Sequence, residues 1–310
     1  MELAFTVFRQ VCIMFLLMAA GYLCQKTRLV SSEGKQQMTN ILLYLVNPMV
    51  VLHAFQMDFD PALARNLGYA FLLGIASHLI AIVLSYLLIR DRPDGRAPIE
   101  RFSMIYSNCG FMALPLIQAL FGSEGVFYAS AYLAVFNILS WTHGYILISG
   151  KRDKSALKKA FLSPVVLAVA AGGALFFFRI RFPGVLGESV GYLASLNTPL
   201  AMLITGISLA ETRIREAFTS PRVWVVMLFS CLLVPAAALA VYTFLPLPQE
   251  LILVNLVSTA CPPAVTTLLF AQKLEKDSIH ALRILTLSNV CCVVTIPAIV
   301  FAFQLLSGIR

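Results

Sequence analysis

The sequence predicts an all-α integral membrane protein of ten transmembrane helices, and three observations carry that prediction. The first is composition. Hydrophobic residues make up 59% of the 310 and charged residues only 12%, where a soluble domain carries about 25% charge. Mean hydropathy is +0.85. A soluble fold of this size cannot hide so much apolar surface from water, whereas lipid tails solvate it. The second is length. Runs of roughly 20 apolar residues, enough to cross a hydrocarbon core of about 30 Å, recur at 3–24, 38–57, 67–90, 101–120, 126–148, 161–178, 188–210, 221–245, 250–271 and 279–307. The third is the alternation of positive charge. Eighteen of the 23 Lys and Arg fall in the loops of one side, from Lys26 through Arg90 and Lys151 to Arg283, and only Arg9, Arg65, Arg179, Arg181 and Arg310 fall on the other. The basic side is the cytoplasmic one. Both termini then face the non-cytoplasmic side, and a plasma (inner) membrane location is expected.

Span 1 is read as a retained helix and not a signal peptide. It has no basic leading region, and its apolar run is longer than a signal core. The net charge of +8 does not point to nucleic acid, because the basic residues sit between apolar runs and not along one face. The seven cysteines all lie in or beside apolar segments, with no CxxC or Cys/His zinc spacing. They read as small packing residues, and no metal or cofactor is implied. No GxSxG, HExxH or P-loop pattern occurs, so no enzyme chemistry is expected.

The sequence repeats weakly inside itself. Asn47-Pro48 in span 2 recurs as Asn197-Thr198-Pro199 in span 7, Ser107 matches Ser258, and Asn137 matches Asn289. The basic loop 151–160 falls at the junction. This divides the chain into five-helix repeats, 1–150 and 151–310, and five being odd, the copies are inverted in the membrane.

Two spans carry interruptions at corresponding positions. Span 4 contains Ser107-Asn108-Cys109-Gly110 and then Pro115. Span 9 contains Ser258-Thr259-Ala260-Cys261-Pro262-Pro263. Proline removes a backbone donor and clashes with the preceding turn, and Pro263 also pushes Pro262 out of helical geometry. Unwound backbone at membrane depth must be paired or line a wet cavity. Each half-helix N-terminus offers free N–H groups and about half a positive charge, so two meeting at mid-depth suit a carboxylate without any Lys or Arg. Asn108 and Thr259 could add hydrogen bonds. Asn137 and Asn289 could brace the crossing, and Asn47 and Asn197 could line it. All fifteen acidic residues lie in loops or near span ends, which argues against a cation/proton antiporter. His53, six residues after Asn47, is the histidine singled out for proton sensing.

The run Asn108 to Leu116, followed by Gly122 and Asn137, resembles the signature of the auxin efflux carrier family, whose bacterial members include malate and malonate carriers. The stretches around Asn47-Pro48 and from Pro262 to Pro297 resemble it too, so the similarity covers essentially the whole chain. The resemblance implies crossed broken helices 4 and 9 as the substrate site. It implies a scaffold of spans 1, 2, 6 and 7, a moving bundle of spans 3–5 and 8–10, and an elevator-type transport cycle. Homodimers are implied by the plant members. Asn108, Pro115 and Pro262 match motif positions and inherit a binding role by analogy, with Cys109, Gly110, Ala260 and Pro263 beside them. Ala113 replaces a glycine common in the family, and Thr266 and Thr267 stand where plant members carry a second proline. The expected function is transport of a small organic anion such as malate, malonate or an auxin-like acid, with proton or sodium coupling left open. The alternatives are a sodium-coupled bile-acid-like or neutral-metabolite transporter of the same plan, and a membrane sensor that binds without flux.

Overall fold

The structure, a computed structural model, describes residues 2–151, 154–211 and 214–307. Its elements are α1 (Glu2–Lys26), α2 (32–54), α3 (Pro61–Leu88), α4 (Ala97–Ile105), α5 (Cys109–Ser149), α6 (Lys154–Phe161), α7 (Pro164–Phe177), α8 (Gly184–Ala210), α9 (Ile214–Phe218), α10 (Pro221–Tyr242), α11 (Gln249–Ala260), α12 (Thr266–Lys273) and α13 (Ser278–Ser307). Among the described residues there is no strand. Among the described residues six helices, α1, α3, α5, α8, α10 and α13, are long and apolar enough to cross a membrane. Runs expected as spans 2, 4 and 9 are helical but interrupted. Span 2 passes through a π turn at Leu42–Val46 directly before Asn47-Pro48. The π turn lets the helix absorb the missing proline N–H without stopping.

Local chemistry explains the ends. Ser31, Asp60 and Ser163 cap α2, α3 and α7, accepting from the amides of Gly34 at 3.0 Å, Ala62 at 2.7 Å and Val166 at 3.4 Å. Pro61 and Pro164 occupy the first helical positions, where an N–H is unneeded. Gly150 closes α5 with φ 68°, a conformation open to glycine at little cost. Inside α5, Gly122 departs from helical geometry (φ 61°, ψ −149°). That turn separates the second half of predicted span 4 from span 5.

Lipid cannot drive helices together by the hydrophobic effect, so close packing of small residues must hold them. The tightest contact is α1 on α8. A Cβ on Gly206 would lie 1.9 Å from the carbonyl oxygen of Met18, and one on Gly21 would lie 2.2 Å from that of Leu203. In the same way Gly172 of α7 lets the ring of Phe55, at the end of α2, pack against its backbone. Apolar side chains such as Leu72, Val185 and Phe244 face outward and stay exposed, as a lipid-facing surface requires.

The basic side of the chain is laced with ion pairs. Buried Glu100 of α4 accepts from Arg222 Nε of α10 at 2.8 Å and meets His280 Nε2 of α13 at 3.0 Å. Arg96 Nε reaches Asp277 at 2.8 Å, and Lys35 pairs with Glu211. Burial alone would raise the Glu100 pKa. Hydrogen bonds from His280 and Arg222, with their charges, bring it below the usual carboxylate range.

Candidate functional site

Both expected interruptions are present, and they lie against each other. α4 ends at Tyr106, which is extended. α11 ends at Cys261, also extended (φ −63°, ψ 151°), as the following proline demands. The two segments run antiparallel, with a single β-bridge between Ser107 and Pro263. The amide of Asn108 donates to the carbonyl of Pro262 at 2.7 Å, and that of Ala264 donates to the carbonyl of Tyr106 at 2.8 Å. Ser107 Oγ donates to the carbonyl of Ser258 at 2.6 Å. Each break therefore supplies partners that the other lacks. An unpaired buried backbone group costs about 1–3 kcal/mol, so neither break is stable at this depth without its partner.

The leftover groups at the starts of α5 and α12 are donors. At the start of α5, Cys109 N–H goes to Ser107 and those of Met112 and Ala113 go to Asn108. Gly110 and Phe111 then have no backbone acceptor among the described residues. At the start of α12, Thr267 N–H goes to Ala264, and those of Leu268 and Leu269 go to Val265. Val265 and Thr266 are left over in the same way. The carbonyls of Tyr106, Ser258 and Pro262 are occupied, whereas those of Met104, Ile105, Thr259 and Ala260, at the ends of α4 and α11, have no backbone donor among the described residues. The starts of α5 and α12 thus present main-chain donors at the positive ends of their helix dipoles. Asn108 is 4% exposed, and its Nδ2 has no partner, which adds one more donor.

The crossing gathers Asn108, Cys109, Gly110, Ala260, Pro262 and Pro263. Asn47 and Asn197 stand beside it. Asn197 Nδ2 donates to Asn47 Oδ1 at 2.7 Å, and a Cβ on Gly110 would lie 3.4 Å from Asn47 Nδ2. Thr259 is committed to other partners. Its hydroxyl donates to the carbonyl of Asn255 at 2.9 Å and to Ser77 Oγ at 3.2 Å. Ser77 donates to Asn255 Oδ1 at 2.6 Å and also meets Tyr242. This network ties α3, α10 and α11 together behind the crossing. Pro115 does not make the break. It lies in the helical run after the π turn Cys109–Ala113, which accommodates its missing N–H. Asn137 and Asn289 do not bridge to the crossing. Each Nδ2 donates to a carbonyl four residues back, Leu133 and Leu285, at 2.8 Å. His53 is half-buried at the end of α2 beside Gly191 of α8.

A small cleft of about 20 Å³ lies between α8, α12 and α13, lined by Thr205, Ser208, Val265, Leu268, Thr286 and Asn289, with Leu209, Leu282 and Leu285 as its apolar walls. It was not legible in the sequence, where these residues fall in three separate spans and only Asn289 stood out.

Comparison with known proteins gives a consistent family. The family described as "Membrane transport protein" matches residues 6–300. A protein named an uncharacterized transporter, from Methanocaldococcus jannaschii, is 24% identical over 281 residues, covering 86% of this chain and 89% of the relative. A second uncharacterized transporter, from Methanothermobacter thermautotrophicus, is 31% identical over 105 residues, covering 33% of this chain and 34% of the relative.

Proposed function

Since the chain belongs to the membrane transport protein family, the auxin efflux carriers, and is a multi-pass membrane protein of apolar helices, we propose that it is a secondary transporter of a small organic anion whose carboxylate binds at the crossing of the two breaks. The observation that carries this reading is the set of four amides without a backbone acceptor, Gly110, Phe111, Val265 and Thr266, on either side of the antiparallel pairing of Asn108 with Pro262. Together with Asn108 Nδ2 they offer a carboxylate several donors in a low-dielectric site, where such bonds count for more than in water.

The transport cycle is alternating access by a ten-span, inverted-repeat protein. Support comes from the positions equivalent in the two repeats. Asn47 bonds Asn197 and Ser107 bonds Ser258. Residues related by a two-fold axis touch their own mates only where they lie on that axis. The ion pairs favour two bodies sliding past each other. Lys35–Glu211 lies within α2 and α8, while Arg222–Glu100–His280 and Arg96–Asp277 lie within the α4–α5 and α10–α13 group. Asn108, Gly110 and Pro262 are the binding positions of this reading, with Asn47 and Asn197 shaping the wall. The basic side faces the cytoplasm of the cell membrane, with both termini opposite.

The test is flux of labelled malate, malonate and aromatic acids in proteoliposomes, with and without sodium. Saturable transport of one of these acids supports the reading. Strict sodium dependence with a neutral or steroid-like solute would replace it with the sodium-coupled alternative, and binding without flux would replace it with a sensor.

A further inference from the structure

We propose that His143 is a proton-binding residue near the cytoplasmic end of α5, and that a proton there and an anion at the crossing strengthen each other's binding. This deepens the transporter reading and rests on it.

The π turn Ser140–Gly144 of α5 reaches both sides of the crossing. His143 Nδ1 lies 2.8 Å from the hydroxyl of Tyr106, the residue at which α4 ends. Two residues earlier, Trp141 packs edge-on against Phe270 of α12, with ring centroids 4.9 Å apart. The approach to α4 depends on Gly144, where a Cβ would lie 2.5 Å from the ring of Phe102 and 2.9 Å from that of Tyr106. The Tyr106 carbonyl in turn accepts from the Ala264 amide. One turn of α5 therefore touches the helix before the first break and the helix after the second. Such turns recur at functional sites.

The hydrogen bonds identify the atom that takes the proton. The Tyr106 hydroxyl donates to the carbonyl of Leu139 at 3.0 Å. With its hydrogen committed there, the oxygen accepts from His143, so Nδ1 carries the ring hydrogen and Nε2 is the basic nitrogen. Among the described residues Nε2 has no hydrogen-bond partner. His143 is half-buried. It lies six residues before α5 ends at Ser149, about 9 Å along the axis, and the basic junction loop follows. The other histidines are placed differently. His78 and His280 are enclosed, the second of them against Glu100, and His53 stands at the opposite end of α2 from Lys35.

The surrounding charges set what protonation does. From α3 come the ring of Tyr86 at 6.4 Å and, across Tyr106, His78. From α4 comes Arg101, beyond Tyr86. Its guanidinium sits 4.6 Å from that ring and pairs with Asp91 at 2.9 Å. The lysines of the other two neighbours, Lys158 and Lys159 of α6 and Lys273 of α12, are exposed. No carboxylate bonds His143 among the described residues. A proton on it is therefore an uncompensated positive charge inside the bundle, and an anion at the crossing is its nearest counter-charge. For unit charges roughly 12 Å apart, at an effective dielectric of about 20, the attraction is worth about tenfold in affinity. Linkage makes the effect reciprocal.

The experiment uses Trp141 as reporter. Trp224→Phe leaves it as the sole tryptophan. In detergent its emission is expected to show one step on acidification from about pH 8 to 5. The step should vanish in His143→Asn, which can still donate to Tyr106 but never carries charge. Malate, malonate or phenylacetate, whichever the protein carries, should move the midpoint up by about one pH unit, the equivalent of tenfold. That shift is read with His143 intact, so it decides the matter even where His143→Asn fails to fold. In proteoliposomes the KM of the same acid should fall about tenfold on acidifying the cytoplasmic face, beyond the change that His143→Asn shows from the acid's own titration. Absence of the step, a midpoint that a carried acid leaves in place, or one KM–pH profile shared by wild type and His143→Asn would each overturn the proposal. If none of the three acids is carried yet the step vanishes in His143→Asn, the anion reading has failed and the proton site alone stands.

Discussion

Replacing Asn108 by alanine separates the chemistry of the crossing from its architecture. The backbone amide of Asn108 holds the carbonyl of Pro262 at 2.7 Å, and alanine keeps that bond. The Asn108 side chain makes no capping bond to α5, and its Nδ2 has no partner in a buried position. The fold therefore loses almost nothing, and the variant should melt within about 3 °C of wild type in detergent. A bound carboxylate, however, would lose one hydrogen bond to a charged group, worth about 1.5–3 kcal/mol, or roughly 10- to 150-fold in affinity. In proteoliposomes the apparent KM of the transported anion should rise by that factor. Asn108→Asp should be worse, since it sets a negative charge against the cargo where alanine only removes a donor. An Asn108→Ala protein that transports with unchanged KM would refute the binding role. One that fails to fold would refute the claim that the side chain is idle in the empty protein.

Gly206→Ala should be among the most damaging single-methyl changes in the chain. The new Cβ would stand 1.9 Å from the Met18 carbonyl, against an ordinary separation of roughly 3.5 Å, and the resulting separation of α1 from α8 should appear as a large fall in melting temperature. Glu100→Gln should destabilise by about 3–5 kcal/mol near neutral pH, since it leaves Arg222 and His280 facing a neutral partner. Because the folded Glu100 pKa is depressed, its stabilisation is present above the ordinary carboxylate pKa of about 4.3 and is lost as pH falls below that toward the folded value. The gap in thermal stability between wild type and variant should therefore close on acidification below that point, and a gap that stays constant would contradict the assignment. Pro262→Ala with Pro263→Ala lets α11 run helically toward α12, withdrawing the Pro262 carbonyl from Asn108. Transport should fall to background, as measured by flux on protein that still elutes as a single species.

Much of the architecture was written in local chemistry. Pro262-Pro263 announced a break in span 9, although its exact point was left open until Cys261 was seen to be extended. The span 4 motif was harder. Its conspicuous Pro115 lies several residues past the true break, because a π turn absorbs it and the chain unwinds instead at Tyr106–Asn108, where no proline stands. Asn47 and Asn197 were matched by the repeat, but their bond was not foreseen, because nothing local distinguishes a pair that touches from one that does not. Asn137 and Asn289 are equally well matched and each braces only its own helix. Thr259 was expected to face cargo and instead bonds Ser77 and Asn255, since a hydroxyl one turn after Asn255 reaches that residue's carbonyl before anything else. Glu100, Arg222 and His280 were invisible as a cluster. They are separated by 122 and 180 positions, and a charge at a helix end looks the same in sequence whether it is solvated or buried.

The pairing of Asn108 with Pro262 also bears on how the chain is made. Ribosomes deliver the first break to the membrane more than 150 residues before its complement emerges. Throughout that interval the Asn108 amide and the Tyr106 carbonyl sit at lipid depth with nothing to bond. The nascent first half should therefore linger near the insertion machinery or recruit water, and an N-terminal fragment ending near residue 150 should be degraded when expressed by itself but rescued when the remaining half is supplied as a separate polypeptide.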